Sequence, residues 1–154
     1  PQLHARRVAD DKPLFDGTVL QFAALRGGDV DGDGRRDVVT AWPGTPPQLR
    51  VYPGDGGGGL GGPAIADLFK FSWIDIGDLD GDGRADLATD VPGNAWRIQL
   101  YRSLVDGWAA PLALDLFNYS GFDLGDLDGD GRVDVVVVAA GQPPRVEAWL
   151  SRAP

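Results

Sequence analysis

The sequence predicts an all-β fold of three similar four-stranded units. Three observations support this: a repeat of about 48 residues, short apolar runs broken by Gly and Pro, and no amphipathic helical segment.

Aligning the chain with itself gives the repeat. Gly28-Asp-Val-Asp-Gly-Asp-Gly-Arg-Arg-Asp37, Gly77-Asp-Leu-Asp-Gly-Asp-Gly-Arg-Ala-Asp86 and Gly125-Asp-Leu-Asp-Gly-Asp-Gly-Arg-Val-Asp134 match position by position. Their first aspartates, Asp29, Asp78 and Asp126, are 49 and 48 residues apart. Phe22, Phe71 and Tyr119 precede each loop by seven residues, and Tyr52, Tyr101 and Trp149 close each unit, so aromatic packing between units is expected. The repeats are placed at about residues 12–54, 63–103 and 111–151, within a single domain spanning 1–154.

Within the units, Ser72 to Ile76, Leu87 to Val91, Ile98 to Tyr101, and Ala64 to Phe69 or Leu112 to Phe117 are runs of strand length. Four short strands in a unit of 40 to 50 residues is the spacing of a β-propeller blade, whereas a solenoid of that period needs long helices. The glycine-rich stretch from Pro53 to Pro63 reads as a flexible surface loop. No helix follows its dinucleotide-like glycines to hold a phosphate.

Composition narrows the function. A net charge of −9, with 23 acids against 14 basic residues, disfavours nucleic acid as a partner. No run approaches the length of a membrane span. The absence of Cys removes disulfides, thiol nucleophiles and thiolate zinc sites. The chain contains no Met and begins at Pro1, so the native N-terminus is expected upstream.

The loops carry the chemistry. Each places carboxylates at positions one, three, five and nine: Asp29, Asp31, Asp33 and Asp37; Asp78, Asp80, Asp82 and Asp86; Asp126, Asp128, Asp130 and Asp134. Four carboxylates within nine residues repel one another, and a hard cation with six to eight oxygen ligands offsets that repulsion. At position seven, Arg35, Arg84 and Arg132 would offer backbone carbonyls, with their side chains turned away. An oxygen-only set suits Ca2+, at about three ions per chain, better than zinc or copper. An EF-hand is excluded because position twelve holds Thr40, Thr89 and Val137 in place of Glu, and strand-like sequence follows.

The pattern Asp-x-Asp-Gly-Asp-Gly-x-x-Asp between strands, recurring near every 48 residues, closely resembles the repeats called FG-GAP or VCBS. These occur in integrin α-chain propellers and in many secreted bacterial and fungal proteins. The resemblance implies propeller blades, usually seven, with calcium between the first two strands of a blade. It also implies an extracellular, secreted or cell-surface location and a binding or adhesion role towards a protein or a carbohydrate. Three repeats are too few to close a ring, and Arg26 stands where the other units have Asp75 and Asp123. Gln2 and Leu3 resemble a third strand, and the last unit stops after its own third strand. Two readings follow. The segment around Lys12 to Phe15 completes the last blade of a second copy, giving a homodimer with six blades, or the chain is part of a longer propeller.

Catalysis is not expected. The single histidine, His4, lies near a terminus, and Asp67 with Asp115 and Asp75 with Asp123 recur by repetition, as structural residues do. Trp42, Trp96 and Trp108, near turns, are candidate sugar-stacking platforms for a lectin-like function, while Trp73 and Trp149 are expected in the core. A non-catalytic part of a secreted polysaccharide-degrading enzyme is the further alternative.

Overall fold

A computed structural model describes residues 2–6, 13–18, 24–42, 44–68, 71–91, 97–116, 118–141 and 143–152, the first two segments by their backbone alone. The described residues are all-β, without helix. Unit 1 is the antiparallel meander β3 (Ala24–Gly28), β4 (Asp37–Trp42), β5 (Gln48–Tyr52) and β6 (Ala64–Asp67). Unit 2 repeats it with β7 (Ile74–Gly77), β8 (Asp86–Val91), β9 (Arg97–Tyr101) and β12 (Leu112–Asp115). Unit 3 is β13 (Tyr119–Gly125), β14 (Asp134–Ala139) and β15 (Arg145–Trp149). Among the described residues unit 3 has these three strands, in line with a last unit that stops after its third strand.

At the other end, β1 (Gln2–Arg6) pairs with β2 (Pro13–Thr18) as a separate antiparallel hairpin, so the edge of β2 that β1 occupies is taken. Lys12 and Phe22 lie outside the described residues.

Two connections after third strands are structured. A short hairpin, β10 (Ser103–Leu104) with β11 (Gly107–Trp108), interrupts unit 2 between its third and fourth strands. The glycine-rich stretch after Pro53 is closed rather than flexible: Gly54 bridges Leu60, and Gly61 N–H donates to the Pro53 carbonyl at 2.7 Å. Inside it the Asp55 carboxylate accepts N–H bonds from Gly57 at 2.7 Å and Gly59 at 2.8 Å, and the first of these holds its pKa below the ordinary carboxylate value. One side chain thus supplies the contacts that a chain so rich in Gly lacks.

The core lies between sheets. Val39, Ala41 and Leu49 of unit 1 pack with Ile74, Leu87 and Tyr101 of unit 2. Ala88 and Ile98, on the opposite face of unit 2, pack with Phe122, Val135 and Val137 of unit 3. Strand alternation therefore gives the central sheet, that of unit 2, two apolar faces, one towards each neighbour. At both seams the backbone also bonds across: Ala85 N–H donates to the Asp29 carbonyl at 2.5 Å, and Val133 N–H to the Asp78 carbonyl at 2.7 Å. A side chain at Gly77 would meet Val133 at 2.7 Å, which explains a glycine at that strand end.

Candidate metal centre

Each aspartate loop joins the first two strands of its sheet: β3 to β4, β7 to β8 and β13 to β14. Its curl is built from left-handed glycines, with φ of 81° and 82° at Gly32 and Gly34 and nearly the same values in the other loops. The first aspartate organises the turn. Asp29 Oδ1 accepts Gly32 N–H at 2.7 Å and Oδ2 accepts Gly34 N–H at 2.8 Å. Asp78 and Asp126 make the same pair of bonds to Gly81 and Gly83, and to Gly129 and Gly131.

The carboxylates converge in all three loops. Oxygens of Asp29, Asp31 and Asp33 lie within 4.8 Å of one another, as do those of Asp78, Asp80 and Asp86, and those of Asp126, Asp128 and Asp134. Positions one and three thus meet in every loop, joined by position five in the first and by position nine in the other two.

Position nine differs from the rest. Asp37, Asp86 and Asp134 are buried, and both oxygens of each accept backbone N–H groups. For Asp86 the donors are Leu79 at 2.9 Å and Ser103 at 2.7 Å. For Asp37 they are Val30 and Gly54, and for Asp134 they are Leu127 and Ser151. Each ties its loop to the residue just beyond the third strand. Burial pushes the Asp86 carboxyl up to about 6, and the nearby charges of Asp80 and Asp82 add to that. Such a cluster is stabilised by a positive ion, and its all-oxygen donor set fits calcium.

The arginines depart from expectation. In two loops the side chain at position seven turns back towards position five, with Arg84 paired to Asp82 and Arg35 Nη1 3.4 Å from Asp33, while Arg132 lies against Gly81 of the second loop. The Arg84 stem also lies on Gly32 of the preceding loop, so these arginines link loop to loop. Arg102 adds a cation 3.6 Å from Asp80.

The tryptophans divide. The Trp42 ring carries the Arg50 guanidinium 5.2 Å from its centroid and packs against Gly44, so this chain already occupies it. Trp108 packs on the first core cluster and lines a groove with Val30, Asp31, Ser103 and Val105. Trp96 lies outside the described residues. Trp149 packs on the second cluster as expected, but Trp73 does not join the core: it is 51% exposed, with Arg26 above it at 5.2 Å.

A polar ladder missed in the sequence crosses the innermost strands. Arg26 Nε donates to Asp75 Oδ1 at 2.9 Å, and Leu124 N–H to Asp75 Oδ2 at 3.1 Å. Burial, then the adjoining Asp123 carboxyl, raises the pKa of Asp75. Its signal was the shared repeat position of Arg26, Asp75 and Asp123, three residues before each loop.

Compared with known families, residues 29–89 match the model described as an FG-GAP-like repeat. That span runs from the first loop through the second and into β8. Among curated proteins, none matches this chain.

Proposed function

We propose that this chain is a calcium-stabilised scaffold of β-propeller type, a reading supported by the match of residues 29–89 to the FG-GAP-like repeat. In this reading its sheets are blades, it works outside the cell, and it binds a protein or carbohydrate partner without catalysing a reaction. The observation that carries the reading is the convergence of three carboxylates in each of three equivalent loops. Repetition at the same structural place favours a recurring structural ion over a single reaction centre. The ions would sit where each loop joins the first two strands, stiffening one end of every sheet while the opposite ends and the grooves between sheets stay free for a partner.

A carbohydrate is the more specific version of that partner, favoured by the partly buried Trp108 beside Asp31 and Ser103 in the groove between units 1 and 2. A glycan array probed with the intact chain, with calcium and again after chelation, tests it. Calcium-dependent retention of one glycan class, lost in Trp108→Ala, is the expected result. Retention unchanged by Trp108→Ala would remove the groove from the account, and depolymerisation of a polysaccharide by the chain alone would overturn the non-catalytic reading.

A further inference from the structure

The aspartate loops share a sequence but not a surrounding, and the middle one is ringed by cations. Its position-five residue, Asp82, has both carboxylate oxygens held by Arg84: Oδ1 accepts the backbone N–H at 2.9 Å and Oδ2 pairs with the guanidinium. That pair is partly buried, with 24% of the Arg84 side chain and 30% of the Asp82 side chain exposed, because the Arg84 stem lies on Gly32 of the first loop. Arg84 Nε is buried without a hydrogen-bond partner among the described residues, so the contact with Asp82 is what offsets the cost of burying this cation. A second cation comes from just beyond β9, where Arg102 Nη1 lies 3.6 Å from Oδ2 of Asp80, one of the converging acids. A third comes from the next loop: a side chain at Gly81, between Asp80 and Asp82, would meet Arg132 Nε at 2.5 Å, so that guanidinium lies directly on the middle loop.

The first loop differs in each of these respects. Its own Arg35 is 54% exposed and stands 3.4 Å from Asp33, a pair that solvent screens. Pro53 occupies the repeat position of Arg102. Gly32 is covered by the methylene stem of Arg84, whose Cγ and Cδ would meet a side chain there at 3.0 and 3.3 Å, while Nη1 is 4.0 Å away. Both loops have a following unit bonded beside them, through Ala85 to Asp29 and through Val133 to Asp78, so the contrast is between like places in the fold.

Resting on the reading that these loops hold calcium, we infer that the middle loop binds it more weakly than the first, because Arg84, Arg102 and Arg132 already supply the positive charge that the ion would bring. An ion entering there must take Asp80 and Asp82 from guanidinium groups and sit beside like charges. The two loops then fill in order as calcium rises, and unit 2 keeps its arginine-held form at calcium concentrations that already load unit 1.

Calorimetric titration of calcium into two full-length variants tests this, with circular dichroism to check that each is folded. Asp78→Asn with Asp126→Asn leaves the first loop intact, and Asp29→Asn with Asp126→Asn leaves the middle one. The first-loop chain should bind about tenfold more tightly than the middle-loop chain. In the middle-loop chain, Arg102→Gln and Arg84→Met, which keeps the stem on Gly32, should each raise the affinity by about threefold, while Arg102→Lys keeps the charge and should leave it unchanged. In the first-loop chain Arg102→Gln should have no effect. Equal affinities in the two chains, or a middle loop indifferent to both arginine changes, would overturn the inference and leave the calcium reading standing. A middle-loop chain without measurable binding supports the inference if the arginine changes restore it and overturns the inference if they do not. Absence of binding in both chains, with or without those changes, would overturn the calcium reading and the inference together.

Discussion

The aspartates at position nine and those at positions one, three and five share a loop, a residue type and a charge, yet they occupy different environments. Asp86 is fully buried and holds two backbone amides, whereas Asp82 is exposed, its carboxylate accepting one amide and pairing with Arg84. A carboxylate run is therefore not one site repeated four times. One member anchors the loop to the sheet through bonds present without any ion, and the others, less buried, shape with it a cup whose charge calls for a cation. Fold and cation binding overlap at the anchor, so the two can be separated only by choosing the position that is changed.

The largest effect is expected at the anchor. Asp86→Ala strands two buried amides and should cost about 3 kcal/mol of stability, while Asp82→Ala should cost under about 1 kcal/mol. Urea denaturation in chelator reads both, and equal losses would erase the distinction between anchor and cup.

Calcium removal comes next. With calcium about tenfold above its dissociation constant, each loop should gain about 1.4 kcal/mol, seen as a lower thermal midpoint on chelation. A midpoint indifferent to chelator would mean that the cups hold no ion that matters to the fold.

Asp78→Asn sharpens the comparison from the other side. It keeps the acceptor oxygens that organise the turn only in part but removes a ligand charge, so calcium affinity in that loop should fall by about tenfold, with little change in calcium-free stability. A calcium-free loss as large as that of Asp86→Ala would show position one to be an anchor as well.

The smallest effect concerns Asp75, buried at a seam outside the loops. Its carboxyl titrates above the ordinary value, so the folded chain binds more protons than the unfolded one between the two pKa values. The associated stability is fully present below the unfolded pKa and is lost as pH rises through the folded one. Asp123→Asn removes a like charge and should flatten that decline, raising stability near neutral pH by under about 1 kcal/mol. Denaturation curves across the acid range that match the wild type would assign the shift to burial alone.

Much of this was legible in the sequence because it is local. The three loops, the strands around them and the all-β class follow from spacing and from the Gly and Asp content of the turns. What was not legible is tertiary. Nothing in the motif tells Asp86 from Asp82; the nearest signal is that Asp37, Asp86 and Asp134 each open an apolar strand. Trp73 was expected in the core because it falls within the strand-like run Ser72 to Ile76, but it lies just before β7 begins, outside the alternation that buries Ile74. The stretch after Pro53 was expected to be flexible from its glycines, and the single Asp55 that closes it carries little weight in composition. The seams rest on Gly77 meeting Val133, two residues from different repeats, and no one-dimensional pattern pairs them.

The central claim is that the converging carboxylates hold calcium. Titrating calcium into the metal-free chain by calorimetry tests it most directly. The account predicts about three ions per chain with dissociation constants on the order of 0.1 to 1 mM, abolished when Asp29, Asp78 and Asp126 are all changed to Asn. Absence of binding, or binding that survives that triple change, would contradict it.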